Sequence, residues 1–169
     1  MQTAGDVSAA TGPVKAAEAW IEAVQLGRYD RAWAMTDPRL RLVRAQAWIW
    51  NNRKDSDIAA LNRDELARSL AQERPDHALW GDFAATEVHQ MRGVYGSFSA
   101  ENWGASSGPS AAGPDYTLVL FAHLTGDPLI LTDQPPVFSL AFLMHAADGG
   151  WVLAAFSDVL PIPGWPPKL

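Results

Sequence analysis

Arg44 occupies a position where helical geometry leaves little room for a charge. Placed on a helix over 39–51 at about 100° per residue, Leu40, Val43, Ala47, Trp48 and Trp50 form an apolar arc. Arg44 and Asn51, at i and i+7, project from within that arc. A guanidinium taken from water without a partner is strongly destabilising, so Arg44 must meet a carboxylate, backbone carbonyls or a bound anion. Three arrangements satisfy it. It could line a pocket and bind a ligand carboxylate or oxyanion, pair with a carboxylate such as Glu87 or Asp158, or lie along Trp48 with its head in water.

The other groups able to do acid–base work are sparse. Four histidines are present, His77, His89, His123 and His145, and none falls in an HxH or HExxH spacing. On strand alternation His123 shares a face with Val119 and Phe121, and His89 with Glu87 and Met91. In an apolar pocket either could act as acid or base, or sit as a hydrogen-bonded core or rim residue. Asp158, beside Phe156 at the end of the last strand, is the carboxylate best placed to be a base, or to make a structural hydrogen bond. Asp127, Asp133 and Asp148 belong to turns beside Gly or Pro, and turn chemistry explains them. No GxSxG and no phosphate-binding glycine pattern occurs. No metal and no cofactor is implied.

Eight tryptophans are many for 169 residues. Trp20, Trp33, Trp48 and Trp50 all fall on helices, where they could wall a cavity for a flat apolar ligand or build an ordinary core.

The bulk composition narrows the classes. With 48% hydrophobic and 19% charged residues the chain is globular. Its net charge of −6 leaves too few cations to replace phosphate counterions, so a nucleic-acid partner is not expected, nor is an anionic membrane surface. Cysteine is absent, which removes disulfides, thiolate metal sites and cysteine nucleophiles. Residues 1–12 are small and polar, read as a mobile arm rather than a signal peptide, and no apolar run reaches spanning length. A cytoplasmic location is the expectation.

The elements that must position these residues follow from periodicity. A helix starts at Pro13, buries Val14, Ala17, Trp20, Ile21 and Val24, and closes at Gly27. A short helix covers about 29–35. Thr36-Asp37-Pro38 then caps a third helix over about 39–51, and Asn62 with Glu65 starts a fourth that stops before Pro75. Phe83–Arg92 and Val94–Phe98 read as strands. Residues 102–115, rich in Gly, Ser, Ala and Pro, read as a long loop. Tyr116–Leu124, Val137–Ala146 and Trp151–Asp158 read as strands, the last two joined by the Asp148-Gly149-Gly150 turn. Residues 161–169 read as an extended tail over the surface.

Helices before an antiparallel sheet make an α+β domain over 13–160. Its strands are apolar on both alternations, so one sheet face meets the helices and the other a partner subunit or the tail. A homodimer is expected.

The first helix with Trp20, followed by Gly27-Arg28-Tyr29-Asp30-Arg31-Ala32-Trp33-Ala34-Met35, resembles the start of nuclear transport factor 2-like domains. The closing hairpin, with Gly150-Trp151-Val152-Leu153, is similar to that superfamily's last strands. The resemblance spans about 13–158 and implies a cone, with helices in the concave face of a curved antiparallel sheet and a pocket at its open end. The superfamily includes ketosteroid isomerases, polyketide cyclases, epoxide hydrolases, dehydratases and non-catalytic binding or assembly modules, so fold alone names no activity. No residue role is carried over from it. The function expected is a non-catalytic module that binds a small apolar molecule or assembles, with Arg44, Trp48, Asn51, Trp20 and Trp33 lining its site. The alternative is a cofactor-free isomerase, cyclase or hydrolase using Asp158, His89 or His123.

Overall fold

The computed structural model describes residues 12–124 and 139–169. The expected arm (but for residue 12), the turn after Leu124 and the start of the strand at Val137 lie outside the described residues. In the rest, helices come first and an antiparallel sheet follows: α1 (Pro13–Gln25), α2 (Tyr29–Ala34), α3 (Pro38–Asn51), α4 (Ser56–Ala59), α5 (Arg63–Leu70), α6 (Trp80–Tyr95), β1 (Trp103–Ser110), β2 (Gly113–His123), β3 (Ser139–Ala147) and β4 (Gly150–Ala155).

Local chemistry sets the helix ends. Pro13 opens α1, where its missing N–H costs nothing. At the other end Gly27 takes φ +70°, its N–H donates to the Val24 carbonyl at 3.0 Å, and the Arg28 N–H reaches the Ala23 carbonyl at 2.8 Å. Two orphan carbonyls are satisfied by one left-handed residue. Asp37 caps α3 by accepting from the Arg39 N–H at 2.8 Å, with Pro38 next to it. The Asn62 side chain accepts from the N–H groups of Asp64 and Glu65, and α5 ends at Leu70, short of the expected limit before Pro75.

Two sequence expectations are corrected. Phe83–Arg92 and Val94–Phe98 are not strands, since Trp80–Tyr95 is one continuous helix. Phe83, Glu87, Met91 and Tyr95 repeat every fourth residue and are all buried, so tertiary burial of one helical face overrides a run of β-branched and aromatic residues. Gly93 is exposed within it, at the modest cost an exposed helical glycine carries. The expected loop over 102–115 is instead β1 and the start of β2. Its Gly and Ser residues have little strand preference of their own. They are held by ladder pairing to β2, and Pro109 falls at the irregularity of an edge strand, where a missing N–H is tolerated.

The sheet order is β1-β2-β3-β4, every pair antiparallel and the sheet curved and open. Helix α1 lies across all four strands. Thr36 bridges Leu153 in parallel, with the Asp37 N–H donating to the Leu153 carbonyl at 2.8 Å, so the α2–α3 link extends the β4 edge. Trp20, Trp33, Phe83, Phe121 and Phe142 are all fully buried between helices and sheet. The tail straps back over the helices. The Gly164 N–H donates to Gln46 Oε1 at 3.0 Å and Trp165 Nε1 donates to Asp64 Oδ1 at 2.8 Å. No helix among the described residues is long and apolar enough to cross a membrane.

Gly27→Ala forces an L-residue into the left-handed region, so urea denaturation should register a loss of about 1–2 kcal/mol. Gly27→Asn should lose less, and an unchanged midpoint in both would contradict the closure described for α1.

Candidate functional site

Arg44 does face the interior, and its partner is a carboxylate of the protein. Nε and Nη2 of Arg44 both lie 2.7 Å from Glu87 Oε2, and Tyr29 Oη donates to the same oxygen at 3.2 Å. Three helices thus converge on one atom: α2 brings the phenol, α3 the guanidinium and α6 the carboxylate. The two charged side chains are 16% and 5% exposed, and the guanidinium also lies 5.9 Å from the centre of the Phe156 ring. Burial pushes the Glu87 carboxyl up, and the charge and hydrogen bond of Arg44, then the Tyr29 hydroxyl, pull it only partly back. Burial, reinforced by the Glu87 charge, drives the Tyr29 phenol well above its ordinary range. For the Glu87 carboxyl, burial thus outweighs the pull of its two partners.

The tryptophans expected to wall a cavity fill it. Trp20 packs edge-on against Tyr95, Phe142 and Phe156 with centroids 5.5–5.9 Å apart, and donates to the Thr36 hydroxyl at 3.1 Å. Trp33 donates to the carbonyls of Leu70 and Gln72, and Trp48 stands edge-on to Phe83 at 5.7 Å. Trp50 turns outward under Arg53, 4.4 Å from its ring centre. Beside Arg44 remains a space of about 170 Å³ among Gln90, Met91, Val94, Tyr95 and Phe156. That is small for a drug-sized or polyketide-like molecule.

The remaining sequence candidates do not join Arg44. Asn51 is exposed at the end of α3. His89 is exposed on α6, because the helix turns it away from the buried Glu87. His123 is exposed at the end of β2, edge-on to Trp103 at 5.3 Å. Asp158 accepts a hydrogen bond from the Ser110 hydroxyl and ties the end of β1 to the chain after β4.

A different group of residues is gathered where the α2–α3 link meets the sheet. His145 Nδ1 lies 2.7 Å from Asp37 Oδ2, across 108 residues of sequence. A carboxylate can only accept, so Nδ1 carries the proton of this contact and the ring orientation is fixed. Tyr116, the strand partner of His145, stacks on the imidazole with centroids 4.6 Å apart and planes 14° from parallel. His145 Nε2 makes no hydrogen bond among the described residues. The pair lines a cleft of about 520 Å³ with Arg39, Arg41, Glu73 and Val152.

Sequence reasoning missed this cleft because Asp37 was accounted for as a helix cap and His145 stood alone on its strand. Asp37 performs both tasks, one oxygen for each. Only the strand order, with Thr36 bridging Leu153 of β4, brings them together. The sequence signal was an acidic cap directly before a proline-started helix, and it gave no indication of its partner.

Arg44→Ala leaves Glu87 as a buried charge without its cation, and chemical denaturation should show a loss of about 3–5 kcal/mol. The double variant Arg44→Met, Glu87→Met should recover most of it, since both desolvated charges leave together. The pH dependence has a definite sign. Glu87 has a folded pKa above its ordinary 4.5, so its stabilising contribution is complete below that value and is lost as the pH rises through the raised native value. Relative to Glu87→Gln, wild type should therefore lose stability on going from pH 4 to pH 7. A difference that grows more favourable over that range would show that the ion pair outweighs burial.

Comparison of the chain with family models, with curated proteins and with solved structures returns no match in any of the three.

Proposed function

We propose that this chain is a nuclear transport factor 2-like domain that serves as a non-catalytic assembly module, two copies meeting through the sheet faces turned away from the helices. The observation that carries the reading is the chemistry of that face. By register its β1–β2 side presents Gly104, Ser106, Gly108, Leu118, Leu120 and Ala122, with Ala141 of β3 beside them and none of these charged, while Tyr116 and His145 stand at the far end of the same face beside the cleft. Leu120 and Leu124 are 40% and 58% exposed. In a chain of net charge −6, this uncharged stretch of the face is the surface on which two copies approach without like-charge repulsion, and a two-fold axis makes it its own complement. The filled interior supports the same reading, since among the described residues aromatic side chains and a neutralised Arg44 leave only a space of about 170 Å³ beside the Arg44–Glu87 pair, small for a polyketide- or steroid-like ligand. The superfamily assignment is supported by the order of elements, helices first and a curved antiparallel sheet after. An acidic, cysteine-free chain of this kind fits a cytoplasmic setting.

A second reading is favoured by the Asp37–His145 pair. A carboxylate-oriented imidazole beside an open cleft is the arrangement of a general base, so a cofactor-free isomerase, cyclase or hydrolase would use His145 rather than Asp158, His89 or His123. Turnover of a small carbonyl compound that disappears in Asp37→Asn would support it. Screening that finds no turnover with the pair intact would count against it.

For the assembly reading, light scattering of wild type should give a dimer at micromolar concentration, and Leu120→Asp should give a folded monomer. A wild-type mass that stays monomeric at every concentration would remove this proposal.

A further inference from the structure

The two arginines of α3 that lie largely out of water are treated in opposite ways. Arg44 has Glu87. Arg41 is 8% exposed and has no carboxylate within 4.0 Å among the described residues. Of its five N–H donors, one reaches the Trp33 carbonyl at 3.5 Å, and Nε has no partner among the described residues. This side chain lines the 520 Å³ cleft beside Asp37 and His145.

We propose that the cleft binds the carboxylate of a small organic acid, with Arg41 as its cation. The inference rests on the cleft and is tested separately from the assembly reading, although Tyr116 and His145 border the same sheet face. The terminal nitrogens of a planar guanidinium can meet the two oxygens of a carboxylate in parallel charge-assisted hydrogen bonds, and those of Arg41 are held only by one long contact to the Trp33 carbonyl. The charged and titratable groups around it are Arg39, Asp37, Glu73 and His145. Asp37 is already committed, one oxygen to the Arg39 N–H and the other to His145. Glu73 is exposed and makes no ion pair with Arg41. Burial pulls the Arg41 guanidinium below its ordinary pKa, and the charges of Glu73 and Asp37 offset this only in part. Counted with a neutral histidine, the charges of Arg39, Arg41, Asp37 and Glu73 cancel, so what the cleft lacks is a close anionic acceptor for the Arg41 guanidinium rather than net negative charge.

The rest of the cleft selects the kind of acid. Ala34, Pro38, Val152 and the Tyr116 ring provide an apolar wall for an organic body. The volume lies within the range of small-molecule sites, about 300–1,000 Å³. Glu73 and Asp37 repel a dianion, so a monocarboxylate is favoured over phosphate.

The test titrates the full chain with benzoate, acetate and inorganic phosphate at constant ionic strength, reading melting temperature and calorimetric binding. Benzoate should raise the melting temperature saturably and more than acetate, with phosphate giving no saturable effect. Arg41→Met removes a buried unpaired charge, so its unliganded melting temperature should be no lower than that of wild type, while its affinity for benzoate should fall by about tenfold or more. Glu73→Gln should leave unliganded stability unchanged and tighten benzoate binding. Three results would overturn the proposal: no saturable carboxylate response in wild type, an equal response in Arg41→Met, or phosphate binding as tightly as benzoate. A marked loss of melting temperature in Glu73→Gln would also overturn it, because Glu73 would then be the missing counterion.

Discussion

One buried carboxylate oxygen fixes how the helices lie against one another. Glu87 Oε2 accepts from Tyr29 on α2 and from Arg44 on α3 while itself belonging to α6. Each bond has a narrow range of useful distance and angle, so none of the three helices can slide by a residue without leaving a polar group stranded in apolar surroundings. The aromatic side chains around this atom fill space but tolerate small displacements. The polar junction does not. Its contribution is to specify one packing, whereas burial of Trp20, Trp33, Phe83 and Phe142 provides most of the driving force.

The helical half was legible in the sequence wherever backbone chemistry was local. Pro13, Gly27, Asp37-Pro38 and Asn62 each mark a boundary by a hydrogen bond or a fixed dihedral within a few residues, and the structure uses all four. Two elements were misread for one reason, that their state is decided by distant partners. Helix α6 reads as β-prone along its own length, and only the burial of Phe83, Glu87, Met91 and Tyr95 against other helices and the sheet makes it helical. Strand β1 reads as loop, and only its ladder with β2 makes it a strand.

The same division runs through the polar residues. Arg44 was legible because its anomaly lay within a single helix, an ion in an apolar arc, and Glu87 was among the partners its position admitted. The Asp37–His145 contact was not, since each residue had a sufficient local explanation. Arg41 was hidden for a further reason. It sits three residues before Arg44, about one turn nearer the start of α3, where the helix meets the β4 edge instead of the junction of three helices. Two like residues one turn apart thus meet opposite fates, one neutralised inside the protein and the other left to whatever enters from outside.

The strap of the tail over the helices bears on the order in which the molecule assembles. The Trp165–Asp64 and Gly164–Gln46 bonds span 101 and 118 residues, so each closes a very long loop. The entropy of such closure weighs against forming it before the intervening helices and sheet have drawn the ends together. The tail's hold on α5 is therefore among the last contacts to form, whereas α5 itself packs on the neighbouring α3 through Leu66, Ala67 and Leu70. During synthesis that one contact waits for a tryptophan that has yet to leave the ribosome. The same contact, formed late, is the natural place for the folded chain to begin to open.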